Sequence, residues 1–317
     1  MKTYHLVDHP GFGTIHKLLI PLCELSKNHI MLTPYEGNYE LTPSILSEIN
    51  ATKCRVIIHS TGRTDSVCLN EHQKLFPGKK CYIFMHISDE HLLYKNRQST
   101  IERLKDFSNR GGVVLTPAKE VSKKFEEYGI ISRPIQMGIP HIEEDDKYKK
   151  FVPELSPYYG KIVTACSSDN DNFKYAKGID RFEKLMKKMD LTHMAMIAGT
   201  DNNRGTSLLC RRFNIDDFIN VLYHSIAYVQ LARYETYNLS AVQAKRMRCP
   251  ALILKSEGTP SCMNIDVCDT IDDVEREILE ILKNGKNSDV IERQYGDSIV
   301  RETLERFLIE LEALDGQ

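Results

Sequence analysis

No stretch of this 317-residue sequence stays apolar for anything near the roughly 20 residues that a membrane-spanning helix needs. The opening residues Met1-Lys-Thr-Tyr-His lead into a short strand pattern and lack the apolar run of a secretory leader. Nine cysteines are scattered without a C-x-x-C, and the closest pair, Cys262 and Cys268, matches no common zinc spacing. Reduced thiols in a cytosolic protein account for that pattern, so the expected localisation is cytoplasmic. A net charge of −2 and a pI near 6.6 exclude a dedicated nucleic-acid binder. There is no H-E-x-x-H, and no metal or other cofactor is expected. The dinucleotide fingerprint is incomplete, because His16 stands where its last glycine belongs.

What is present is the composition of a soluble globular chain, 41% hydrophobic and 27% charged. The length suits two domains of about 150 residues each. Short apolar runs alternate with amphipathic segments. Strands are expected at Tyr4–Val7, Ile30–Leu32, Arg55–His59, Tyr82–His86, Val113–Thr116 and Pro134–Met137, and again at Lys161–Ala165, Met194–Ala198, Ile226–Leu231 and Ala251–Leu254. Strands spaced by helix-length segments read as βαβ units around parallel sheets. The charged, proline-bearing stretch His141–Tyr159 reads as a linker. The expected division is therefore 1–150 and 151–317. Apolar stripes at helical spacing mark core faces, among them Ile179, Phe182, Leu185 and Met186, and a final one at Val300, Leu304, Phe307, Leu308 and Leu311.

Several strand ends carry residues suited to ligand chemistry. His9-Pro-Gly11-Phe-Gly13 follows the first strand, where glycines let backbone N–H groups approach a phosphate or simply make a strand-to-helix turn. His59 and His86 end the third and fourth strands; a lone histidine there is more often structural, and His59 is read so. Asp89 and His91 follow His86 without a metal-like spacing. Lys177 and Gly178 precede a helix, a position where a lysine opposes the helix dipole. Gly199 ends a strand. Glu235 sits at the tip of another, just before a short helix whose free N–H groups and positive dipole end favour an anion. A carboxylate at the mouth of a parallel sheet needs a ligand or a partner to offset its burial. Gln243 has two readings: Ser240-Ala-Val-Gln243 fits a capping box, and the amide also suits a ribose hydroxyl. Lys245, Arg246 and Arg248 form a local basic cluster beside this segment.

The segment Glu235-Thr-Tyr-Asn-Leu239, with Ala244 and Pro250-Ala-Leu-Ile-Leu254 beyond it, resembles the donor signature of retaining GT-B glycosyltransferases of the family 4 type, E-G-F-G-L, then E-A-M-A, then G-x-P-V-I. Thr236 and Asn238 replace its two glycines and Gln243 its second Glu. Cys81-Tyr-Ile-Phe-Met-His86 resembles that family's strand ending in a His near the transferred sugar. Lys177-Gly178-Ile-Asp180 resembles its K-G-x-D segment, whose Lys contacts the donor diphosphate. The family also places an Arg in the loop before this segment; here that loop, Cys166–Lys174, has none, leaving Lys174 or Arg204 as substitutes.

The resemblance implies a fold and a function. The fold would be GT-B: two Rossmann-like doubly wound α/β domains facing across a cleft, with a last helix near 300–314 crossing back onto the first. The function would be transfer of a sugar from a nucleotide-sugar donor to an unidentified acceptor, with retention at the anomeric carbon. His86 and Glu235 would be catalytic. Gly11, Gly13, Lys177, Gly199, Thr236, Tyr237, Asn238, Leu239 and Gln243 would bind the donor. Acceptors of saccharide, lipid-linked or small-molecule type all fit, as does peripheral contact with the inner membrane face, although no strongly basic amphipathic helix supports the latter. Three rivals stand beside this reading: a catalytically weak or inactive GT-B module that binds a sugar nucleotide or a partner protein, a sugar-nucleotide epimerase, and a two-lobed solute-binding protein. Donor base, sugar and oligomeric state are not legible in the sequence.

Overall fold

A computed structural model describes residues 1–7, 13–32, 43–60, 75–86, 98–139, 145–166, 171–201, 206–235, 237–256, 267–285 and 297–315. The chain divides into two compact units, one formed by Met1–His141 with Arg301–Gln317 and the other by Ile142–Val300. Among the described residues, no helix is long and apolar enough to cross a membrane.

The first unit is built on six parallel strands: β1 (Lys2–Val7), β2 (His29–Leu32), β3 (Cys54–Ser60), β4 (Lys80–Met85), β5 (Val113–Thr116) and β6 (Ser132–Pro134), in the order β2-β1-β3-β4-β5-β6. Every residue of β3 is buried, as expected for a strand covered on both faces. Because side chains alternate, the two faces differ in kind. Tyr4, Leu6, Val56, Ile58, Ile83 and Met85 join Ile49, Leu104, Phe107 and Phe125 in an apolar core. The opposite face carries Thr3, His5, Arg55, Ile57, His59, Tyr82 and Phe84, all buried.

The helix Asp297–Glu312 and the turn Ala313–Asp315 meet this polar face. Arg55 donates from Nη1 to the Leu311 carbonyl at 2.6 Å and from Nε to Thr3 Oγ1 at 2.7 Å. The Tyr82 hydroxyl donates to the Leu314 carbonyl at 3.3 Å, and Phe307 sets its edge on Phe84 with centroids 6.2 Å apart. The stripe Val300, Leu304, Phe307, Leu311 is buried. The expected strand Pro134–Met137 is displaced: β6 ends at Pro134, and the chain beyond it leaves the sheet to receive this helix. There, the Gln136 N–H donates to the Glu310 carboxylate at 2.7 Å and the Ile139 N–H to Thr303 Oγ1 at 3.0 Å. Burial pushes the Glu310 carboxyl up despite that hydrogen bond. Gly138 lies between, and a Cβ on it would meet Leu304 Cδ2 at 2.8 Å and Leu304 backbone at 3.1 Å.

The second unit repeats the design with β7 (Ile162–Ala165), β8 (Ala195–Ala198), β9 (Leu209–Arg211), β10 (Ala227–Gln230), β11 (Ala251–Leu254) and β12 (Val267–Cys268), all parallel, in the order β12-β11-β10-β7-β8-β9. Chain order thus reverses between β7 and β10. The strands β9 and β12 are too short to stand out as apolar runs, and the sequence reading missed both. The stretch expected as a linker is not one over 145–159. It forms the helix Asp145–Lys149 and the 3-10 turn Pro153–Tyr158 and packs on the helix Ile215–Tyr223. Asn220 there donates from Nδ2 to the Tyr148 and Lys150 carbonyls and accepts from the Tyr159 hydroxyl at 2.5 Å, while the Tyr148 hydroxyl donates to Asp216. A buried asparagine bonding three separated groups ties the segment down, so charge density alone misled. The described cysteines, Cys23, Cys54, Cys81, Cys166, Cys210, Cys249 and Cys268, carry free thiols.

The close approach at Gly138 is testable. Gly138→Ala forces a methyl into the Leu304 turn and is expected to destabilise the first unit by about 1–3 kcal/mol, read as a lower urea midpoint. An unchanged midpoint would contradict the packing described.

Candidate functional site

In a doubly wound sheet, ligands bind outside the carboxyl ends of the strands, where chain order reverses. In the second unit that point lies between β7 and β10. The backbone beyond β10 is fixed by a glycine. Gly178 has φ +69°, and a Cβ on it would fall 1.9 Å from the Leu231 carbonyl oxygen. Only a residue without a side chain permits this approach. The Arg233 N–H donates to the Ala176 carbonyl at 2.9 Å, and Gln230 Nε2 donates to the Lys177 carbonyl at 3.0 Å.

This clamp brings Lys177 to Glu235. Their Nζ–Oε2 distance is 2.7 Å, with the Lys177 side chain 20% exposed and that of Glu235 9%. The sequence required a partner or a ligand for a carboxylate at this position; the partner is Lys177. Lys177 Nζ also stands 5.7 Å from the Phe173 ring centroid, within cation–π range. Below the pair lies Tyr228, fully buried, its hydroxyl donating to Gln230 Oε1 at 2.6 Å. Burial first and the Glu235 charge second push this phenol upward, so it stays protonated.

Asp180 and Arg233 form a second pair that the sequence did not reveal as one. Arg233 donates from both terminal nitrogens to the two Asp180 oxygens at 2.7 Å and from Nη1 to the Tyr175 carbonyl, and its guanidinium lies 3.6 Å over the Tyr175 ring. The Arg233 hydrogen bond holds the Asp180 carboxyl below its ordinary value. The K-G-x-D spacing is the signal that could have found it, since the aspartate is what receives the arginine.

The helix after Glu235 runs Leu239–Arg246, and its N-cap is Asn238, whose side chain accepts from the Ala241 N–H at 3.1 Å. This corrects the capping-box reading: Ser240 lies inside the helix, so Gln243 is not at the third helical position. Gln243 is instead buried, 1% exposed, and its Nε2 has no hydrogen-bond partner among the described residues. Tyr237 is buried, Leu239 half-buried. Lys245 and Arg246, two members of the basic cluster noted in the sequence, are buried. Gly199 turns the chain after β8 with φ +98°, its N–H on the Arg211 carbonyl at 2.8 Å, and shows no hydrogen bond to the Lys177–Glu235 pair. Gly11, Thr236, Asp89, His91 and Arg204 lie outside the described residues, and Gly13 is the first residue of the helix Gly13–Leu25.

His86 belongs to the first unit, just past β4. It is not solitary: His29, His5, His59 and His86 form a continuous series of ring contacts, nitrogen to nitrogen, at 2.9, 3.1 and 3.1 Å. His59 is structural in the sense expected, being buried and fully bonded. His5 and His29 were missed, because a row running across four strands has no periodicity along the chain. Among the described residues no cluster of His, Cys, Asp or Glu could hold a metal ion.

No family model matches the chain, and no curated protein matches it in sequence. Its fold is similar to that of solved glycosyltransferases. A glycosyltransferase from Rickettsia africae superposes with a TM-score of 0.59 at 14% identity, over 100% of this chain and 99% of that one. A UDP-forming α,α-trehalose-phosphate synthase from Burkholderia xenovorans gives 0.61 at 12% identity, over 99% and 98%. The trehalose-6-phosphate protein of E. coli bound with UDP-2-fluoro glucose gives 0.55 at 11%, over 98% and 96%. The fold is therefore GT-B, two Rossmann-like units each with a six-stranded parallel sheet. These matches reach the fold alone, and the resemblance to the family 4 type rests on the motif at Glu235.

Gly178→Ala is expected to destabilise the second unit by about 3 kcal/mol or more, because left-handed strain and a backbone clash add. The Arg233–Asp180 pair is partly exposed, so a double-mutant cycle with Arg233→Met and Asp180→Asn should give a coupling of about 0.5–1 kcal/mol. Since the Asp180 carboxyl is depressed below 3.8, that coupling is complete above pH 3.8 and fades as pH falls through the lower folded value. A coupling unchanged at pH 2 would remove the ion-pair account.

Proposed function

We propose that the second unit holds a nucleotide-sugar donor by its diphosphate and sugar at Lys177 and Glu235, and that the protein transfers that sugar to an acceptor with retention of configuration. The observation that carries the reading is the 2.7 Å Lys177–Glu235 contact at the strand-order reversal, beside a helix start. A cation and an anion held there in mutual contact match the two halves of a sugar diphosphate, one anionic and one rich in hydroxyls. On binding, Lys177 turns to a phosphate oxygen and Glu235 accepts from sugar hydroxyls, so the ligand replaces one ion pair with two charge-assisted contacts. The buried Nε2 of Gln243 supports a role as a donor to the nucleotide's ribose.

In the reaction the bond from the anomeric carbon to the β-phosphate oxygen breaks, and its electron pair leaves with the nucleoside diphosphate. The acceptor oxygen forms the new bond on the same face and gives its proton to the departing phosphate oxygen. Lys177 and the helix start stabilise the leaving charge, and Glu235 orients the sugar. The scheme calls for no metal. Tyr237, Asn238 and Leu239 shape the donor side through the helix start, and Gly11, Gly13, Gly199 and Thr236 are assigned to the donor by resemblance alone. His86 is assigned to a sugar hydroxyl on the same ground. An acceptor of saccharide, lipid-linked or small-molecule type and a cytoplasmic location with peripheral membrane contact complete the proposal.

A second reading is favoured by one observation. The family's loop Arg is absent, and Arg233 does not replace it, because Asp180 and the Tyr175 carbonyl occupy its donors. A weak or inactive module that binds a sugar nucleotide or a partner protein would look the same at Lys177 and Glu235.

Thermal shift against UDP, GDP, ADP and dTDP sugars, together with donor turnover in the presence of trial acceptors, separates these. At a ligand concentration near 100 times Kd, binding adds about 2.7 kcal/mol. Glu235→Gln should weaken the sugar nucleotide while sparing the free nucleoside diphosphate; Lys177→Met should weaken both. Turnover should fall about 100-fold or more in each. Binding without donor turnover with any acceptor supports the module, and no stabilisation by any nucleotide overturns both readings.

A further inference from the structure

Four histidines of the first unit, His29, His5, His59 and His86, lie on one diagonal. Thr3 is paired with His29, Val7 with His59 and Phe84 with His59 in the strand registers. Each histidine therefore stands two residues nearer the carboxyl edge than its neighbour, all on the same face. His5 is fully buried, with His59 and His29 nearly so, and His86 half-buried at the edge. Phe84 packs against both His59 and His86, its ring centroid 5.5 and 4.9 Å from theirs.

The contacts are ordered by atom. His29 Nδ1 meets His5 Nε2, His5 Nδ1 meets His59 Nε2, and His59 Nδ1 meets His86 Nε2. Each contact needs one N–H and one lone pair, and a neutral imidazole has one of each. His5 and His59 use both nitrogens, so choosing the tautomer of one ring chooses it for all four. Two arrangements exist. With every proton on Nδ1, the free lone pair is His29 Nε2. With every proton on Nε2, His29 Nε2 carries an N–H. That atom is buried and has no hydrogen-bond partner among the described residues, and orphaned buried N–H groups are rare. The charges facing the row agree. Arg55 lies near His5 and His29. Positive charge at the His29 end favours a lone pair there and N–H dipoles directed toward His86. From the C-terminal helix on this face come Phe307 and the Leu311 carbonyl, which holds Arg55, together with Glu310, whose carboxylate is bonded by the Gln136 N–H. Tyr82 is bonded to the Leu314 carbonyl.

We propose that His29, His5 and His59 are positioning residues that hold His86 as a neutral imidazole with its proton on Nδ1, making it a fixed hydrogen-bond donor at the ligand edge rather than an acid or base. A proton added at His86 Nε2 would face the N–H of His59. It cannot be relayed inward, because His59 Nδ1 already carries its proton and offers no lone pair. The row is thus a lock and not a conduit. Burial agrees: it lowers His86 to about 3 and His29 to about 4, and holds His5 and His59 well below the ordinary value. That His86 meets a sugar hydroxyl rests on the function proposed above; the tautomer lock does not.

The test is two-bond proton–nitrogen NMR of the full chain labelled with 15N-histidine, between pH 5.5 and 8. The expected result is four rings with a protonated Nδ1 and a bare Nε2, unmoved across the range. A protonated Nε2 on His86, or its titration in that window, overturns the proposal, and the wild-type spectrum alone decides. His59→Leu, which can neither donate nor accept, should then return His86 to mixed tautomers; a His86 still protonated on Nδ1 alone in a folded His59→Leu also overturns it. Because the spectra need no substrate, failure of sugar transfer with the expected spectrum would sink the function and leave the lock standing.

Discussion

The site of the second unit depends on one steric fact, that the backbone at residue 178 passes so near the Leu231 carbonyl that no side chain fits. That approach sets Lys177 over the end of β10, and the rest follows. Lys177 reaches Glu235, the Lys177 carbonyl takes the Gln230 amide, and the neighbouring Asp180 takes Arg233. A glycine in left-handed conformation is thereby the hinge pin of two ion pairs and one hydrogen-bond chain. The Lys177–Glu235 pair keeps a carboxylate tolerable at a sheet mouth, where desolvation disfavours an isolated charge.

The first unit solves a related problem by other means. One face of its sheet is an ordinary apolar core, while the other buries an arginine, a threonine, a tyrosine and a row of histidines. Such a face is stable only where each polar group is bonded. The C-terminal helix and turn supply carbonyls to Arg55 and Tyr82, and the histidines supply one another. The two units thus share a strand plan and differ in what their sheets bury. A charged pair stands at the edge of one, and neutral imidazoles cross the other.

The architecture was legible because parallel sheets covered on both faces leave a local signature, short apolar runs spaced by helix-length segments. Nine of those runs overlie observed strands to within about two residues, while β6 ends before the apolar residues that follow it, because these receive the last helix. Two strands were too short to read. The order Lys177, Gly178, Gly199, Glu235 was also readable, since each sits at a strand end or helix start. The cap was misassigned because Asn238 and Ser240 are both competent caps, and only the helix's true first turn distinguishes them. Residues 145–159 looked like a linker because their charges are visible in the sequence and the Asn220 that anchors them is not adjacent.

The amino-acid order by itself settled the class of fold, the places where chain and ligand edges coincide, and which residue types stand there, because these depend on periodicity and on neighbours a few positions apart. Tertiary structure alone decided who meets whom. It joined Lys177 to Glu235 across 58 positions, Arg233 to Asp180 across 53, and four histidines across three strand pairings. The physical reason is that hydrogen bonds and ion pairs act over a few ångströms of space, and only the folded sheets bring such distant positions within that reach.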